Sequence, residues 1–95
     1  MTEITVNFPM EESVSLSVGD KLTITFTEDC HPCWDPDDAG LFDHPLPHHD
    51  HQKGYQWTGI AIKSGTLECS YVPCGEKCEK KKGLQTGGHS ISVGT

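Results

Sequence analysis

Hydrophobic residues occupy every second position through the first third of the chain. Ile4, Val6 and Phe8 alternate with polar neighbours, as do Val14, Leu16 and Val18, and then Leu22, Ile24 and Phe26. Successive side chains of a strand point to opposite faces, so this two-residue period predicts half-buried β-strands. Gly19-Asp20 reads as the turn between the second and third runs. Thr23, Thr25 and Thr27 fall on the opposite face and are expected to meet solvent.

The pattern stops between residues 29 and 54, a stretch rich in His and Asp that holds Pro32, Pro36, Pro45 and Pro47. Proline removes a backbone donor and fixes φ, which excludes a regular helix or a central strand. A long loop is expected there. Strand character returns in YQWTGIAIK (55–63), and Ser64-Gly65 turns the chain into TLECSYV (66–72), where Leu67, Cys69 and Tyr71 share a face. HSISV (89–93) supplies a last short strand with Ile91 and Val93 on one side. The reading is a single domain over residues 1–95, an all-β sandwich or barrel of six or seven strands.

Composition limits what such a domain can do. Apolar residues make up 34%, while 10 glycines and 6 prolines dilute the core, so cross-links or a metal are expected to supplement it. A formal charge of −7 argues against nucleic acid or an anionic membrane surface as partner. No apolar run approaches the ~20 residues of a membrane span. The opening TEITVNF has neither the basic start nor the apolar stretch of a signal peptide.

Five cysteines and six histidines are many for 95 residues, and thiolate with imidazole is the ligand mixture that zinc and copper select. They collect in three loops: EDCHPCW (28–34), FDHPLPHHDH (42–51) and the segment from Cys74 to His89. Cys30-His31-Pro32-Cys33 is a C-x-x-C pair, but WDPDDAG follows it, where a thioredoxin-type pair needs a helix start. Cys30 and Cys33 with Cys74 and Cys78 would make a four-thiolate zinc site, although ~40 residues exceed the usual ribbon spacing. Disulfides involving Cys30, Cys33 or Cys69 are the competing reading. His44, His48, His49 and His51 form a secondary candidate for weak metal capture, with a proline-rich solvated loop as the plainer account. Lys80, Lys81 and Lys82 read as a solvated tip. Neither a Ser/His/Asp arrangement nor a phosphate-binding glycine loop occurs, and nothing points to catalysis.

The order of elements, with TEDCHPCW (27–34) early and the C-x-E-x-C motif of Cys74, Glu76 and Cys78 late, resembles the cupredoxin layout. The two loops are most similar to the dinuclear copper domain of cytochrome oxidase subunit II. That resemblance implies a small cupredoxin-like Greek-key β-sandwich with long loops at one end. It also implies a copper site in which His31 is the early imidazole ligand, Cys74 and Cys78 the bridging thiolates, and Glu76 a backbone carbonyl donor. The family's second histidine and methionine are replaced here by Lys82 and Gln85, and the only methionines are Met1 and Met10. Counted back from the last strand, His89 falls where the methionine would lie, giving a set of His31, Cys74, Cys78 and His89.

The expected function is therefore copper binding for electron transfer or copper handling, with a redox protein as partner. The expected setting is extracytoplasmic, periplasmic or secreted, the signal or anchor being absent from this chain. Zinc in place of copper, or disulfides, would instead make the domain a non-redox interaction module.

Overall fold

The computed structural model describes residues 2–8, 10, 12–35, 40–75 and 89–94. Seven strands occur among them: β1 Glu3–Phe8, β2 Val14–Ser17, β3 Lys21–Phe26, β4 Cys30–Asp35, β5 Gln56–Ile60, β6 Gly65–Pro73 and β7 His89–Gly94. They form two sheets, ordered β1-β3-β5 and β2-β7-β6-β4. β1 lies parallel to β3 and β2 parallel to β7, and the remaining pairings are antiparallel. No helix among the described residues is long and apolar enough to cross a membrane.

Alternation in the sequence becomes alternation in burial. Leu22, Ile24 and Phe26 are buried along β3 while the threonines between them are partly exposed. Leu67, Ile91 and Val93 answer them from the other sheet. Phe8 stacks on Phe26 with ring centroids 5.2 Å apart and meets Trp34 at 5.7 Å, which joins the two sheets through aromatic contacts.

Two expectations need correction. Val18 was expected in the core with Val14 and Leu16, but it is 44% exposed. β2 ends at Ser17, and the turn that follows, closed by the Asp20 N–H on the Ser17 carbonyl at 3.0 Å, carries Val18 outward. Cys30–Asp35, expected as part of the long loop, is strand β4. Its place at the edge of its sheet, paired on one side with β6, is the position where a strand tolerates Pro32.

The rest of the 29–54 segment is fastened to the sandwich where it is described. Leu41, Phe42, Leu46 and Pro47 are buried. The indole N–H groups of Trp34 and Trp57 donate to the carbonyls of Pro47 and Pro45, each at 2.7 Å. Trp57 in turn packs edge-on to Phe42, centroids 5.4 Å apart.

Candidate metal centre

One short stretch ties the two sheets together at the end where β3 and β4 meet. The Phe26 N–H donates to the Tyr55 carbonyl and the Gly54 N–H to the Phe26 carbonyl, both at 2.8 Å. Four residues earlier, Cys30 and His51 exchange a reciprocal pair of backbone hydrogen bonds, each 3.0 Å. Directly paired antiparallel residues carry their side chains on the same face, so the bridge puts Cys30 and His51 on one face.

Asp50 then links the early loop to the late one. Its Oδ1 lies 2.9 Å from His31 Nδ1, and its Oδ2 accepts the Gly75 N–H at 2.8 Å. The Gly75 hydrogen bond, with help from His31, holds the Asp50 carboxyl below its ordinary value. Gly75 has φ of 91°, a left-handed conformation that glycine adopts without strain, directly after Cys74.

Cys74 is partly exposed, and its thiol donates to the His51 carbonyl at 3.3 Å. Desolvation, with Asp50 nearby, raises its pKa. Cys30 is 1% exposed, and burial, then the neighbouring Cys74 sulfur and acidic side chains, push its thiol up to about 12. The His51 ring stacks on Tyr55 at 3.9 Å and meets Phe26 edge-on at 5.1 Å. Its Nε2 is buried with no hydrogen-bond partner. Burial and the neighbouring His49 and His31 lower the His51 pKa, which keeps the ring neutral and a lone pair available.

The other sequence candidates are placed as follows. Glu76 and Cys78 lie outside the described residues. His89 pairs with Cys69 in the β6–β7 register, and Cys74 is five residues further along, about 17 Å at the rise of a strand. The structure brings His31 and Cys74 to one end and does not bring His89 to them. Cys69 is a core thiol, 3.2 Å from the His89 carbonyl and 3.1 Å from Met10 Sδ, and burial pushes it up to about 12. Cys33 is disulfide-bonded, whereas Cys30, Cys69 and Cys74 are free. His44 is exposed and bonded to Asp43 at 2.7 Å, and His48 and His49 are exposed. Among the described residues no three His, Cys, Asp or Glu side chains stand together in a group able to hold a metal ion.

Sequence reasoning missed Asp50 as the link between the loops and His51 as the residue beside Cys30. HHDH marks both as polar loop residues, and no local signal predicts a bridge across 21 positions.

No protein-family model and no curated protein matches the chain. Among solved structures, the chain is similar to an amicyanin with Cu(I) in which one methionine is replaced by glutamine. The TM-score is 0.60 at 15% identity, covering 96% of this chain and 81% of that one. A second amicyanin with Cu(I), its same methionine replaced by alanine, gives a TM-score of 0.59 at 16% identity with the same coverage. Likeness at such low identity concerns the fold: the chain is a cupredoxin-like β-sandwich.

Proposed function

We propose that the protein binds copper at the end of the sandwich where β4 and the late loop meet, and that it serves electron transfer or copper handling outside the cytoplasm. The observation that carries this reading is the Asp50 carboxylate, bonded at once to His31 Nδ1 and to the Gly75 N–H beside Cys74. One imidazole and one thiol, from segments more than 40 positions apart, are thereby held at a single end.

The donor set fits copper. A metal-binding histidine commonly gives its other ring nitrogen to a carboxylate, the arrangement His31 has with Asp50, which leaves Nε2 for the metal. Cys74 offers the soft sulfur that copper favours. The resemblance in the C-x-E-x-C motif adds Glu76 and, in the reduced protein, Cys78 as candidates. His89, opposite Cys69, is left out of the set. Bound copper would supply a one-electron couple. The chain's own residues fix the imidazole, restrict water and hold the thiol until a metal displaces its proton. The amicyanin likeness in fold supports a redox protein as partner.

A second reading draws on the Cys33 disulfide: a non-redox interaction module stabilised by disulfides or zinc. Colour separates the two. Copper(II) titrated into the reduced protein should give an intense visible thiolate band and an electron paramagnetic resonance signal, both lost in Cys74→Ser and altered in His31→Ala. A colourless protein whose signal matches aqueous copper(II) would leave the module reading.

A further inference from the structure

Cys69 and Met10 bring two sulfur atoms into contact in the core. The Cys69 thiol stands 3.1 Å from Met10 Sδ and 3.2 Å from the His89 carbonyl, so one S–H is shared between a thioether and a backbone oxygen. Cys69 is a free thiol in β6, 2% exposed. Met10, 7% exposed, comes from the connection between β1 and β2, which are edge strands of the two sheets. Met10 is also reached from outside. A partly open cavity of about 210 Å³ lies between those edges, lined by Thr5, Val6, Asn7, Met10, Glu12 and Val14. The pair stands apart from the candidate centre, since Cys69 is five residues, about 17 Å, from Cys74 along the strand direction.

We infer that Cys69 and Met10 form a second, buried site for a soft monovalent cation, copper(I), which enters by the cavity between β1 and β2. The site is additional to the centre proposed above and uses none of its residues. Thiolate and thioether are ligands that copper(I) selects. Charge decides in favour of a monovalent ion. A bare thiolate is costly in an apolar interior, but one thiolate with one copper(I) is neutral overall. Zinc(II) would leave a net positive charge, and among the described residues no polar or charged residue is buried to balance it. On binding, the Cys69 S–H bond breaks, a copper–sulfur bond forms and the proton passes to solvent. Met10 Sδ donates a lone pair, and no oxidation state changes. The sulfurs must part to admit the ion, and the unbranched, flexible side chain of methionine gives that freedom.

The test reads Met10 directly. Met1 and Met10 are the only methionines, so a full chain labelled with carbon-13 at its methionine methyl groups gives one nuclear magnetic resonance signal for each. Copper(I) is added anaerobically, buffered by a colorimetric chelator. The Met10 signal should shift in step with copper uptake while the Met1 signal stays in place, and Cys69→Ala, its fold checked by circular dichroism, should abolish the shift. Zinc(II) should leave the Met10 signal unmoved. Met10→Leu keeps the core volume and the thiol. Placed in a Cys74→Ser background, which removes the thiol of the other centre, it should cost at least about tenfold in copper(I) affinity, the low end for losing even a supporting group. A shift that survives in Cys69→Ala, a shift that zinc(II) reproduces, or an unchanged affinity in Met10→Leu overturns the site. So does a Met10 signal that stays in place while the chain retains copper(I), an outcome that leaves the centre near His31 standing. A chain that retains no copper(I) overturns both.

Discussion

The indole N–H of Trp34 donates to the carbonyl of Pro47 at 2.7 Å in a buried position. Pro47 belongs to the HPLPHHDH segment, so a strand of the sandwich holds the histidine-rich loop by its main chain. Trp34→Phe keeps an aromatic ring but leaves that carbonyl without its donor. The expected cost is about 1–3 kcal/mol, measured by urea denaturation, with no change in the slope of the transition.

Gly59 lies under a second tryptophan. A Cβ placed there would stand 2.7 Å from the Trp57 ring, closer than a real contact allows. Gly59→Ala should displace the Trp57 indole from the Pro45 carbonyl as well as strain the sheet. We expect a loss of about 1–3 kcal/mol and a change in tryptophan fluorescence. A neutral result would mean that the ring has room to shift.

The ring of His51 should make stability depend on pH. Its pKa is lowered in the folded state by burial first and by neighbouring histidines second. The unfolded chain then takes up the proton more readily, so the stability this group contributes is complete above its ordinary value near 6.5 and falls as pH drops below it. His51→Phe should flatten the stability profile between pH 5 and 7, a range set by the unperturbed histidine value. An unchanged profile would exclude His51 as its source.

Asp50 should act in a lower window. Its carboxyl is held below 3.8 chiefly by the Gly75 N–H and then by His31, so its contribution is present above that value and is lost on further acidification. Asp20 and Asp43 are lowered in the same sense and share the acid limb. Asp50→Asn should weaken only part of it. The same variant should change the copper(II) spectrum, because it removes the carboxylate that orients His31.

The free thiols should differ in reactivity. Cys74 is partly exposed, whereas Cys30 and Cys69 are buried and pushed up to about 12. Alkylation of the native metal-free protein, mapped by mass spectrometry, should modify Cys74 first. Cys30 and Cys69 should follow only on unfolding. Early modification of Cys30 would show that the bridge to His51 opens readily.

Alternation made six of the seven strands readable, because Ile24, Leu67 and Ile91 each face a core that their two-residue spacing announces. β4 was not readable. CHPCWD has three buried residues in succession and a proline, and only its edge position reconciles that pattern with a strand. His31 and Cys74 were legible as candidates from residue type. The bridge from Cys30 to His51 and the reach of Asp50 were not, because each depends on how loops from distant positions meet. The fastening of the proline-rich segment was hidden for the same reason, since its anchors are indoles outside it.

The parallel pairing of β2 with β7 joins Val14–Ser17 to Ile91–Gly94. A ribosome delivers these partners 77 positions apart. Until β7 leaves the exit tunnel, β2 has no neighbour in its sheet and β6 has a bare edge. The second sheet must therefore assemble after synthesis of β7, and until then the emerging chain carries an open edge that a chaperone or a second nascent chain would recognise.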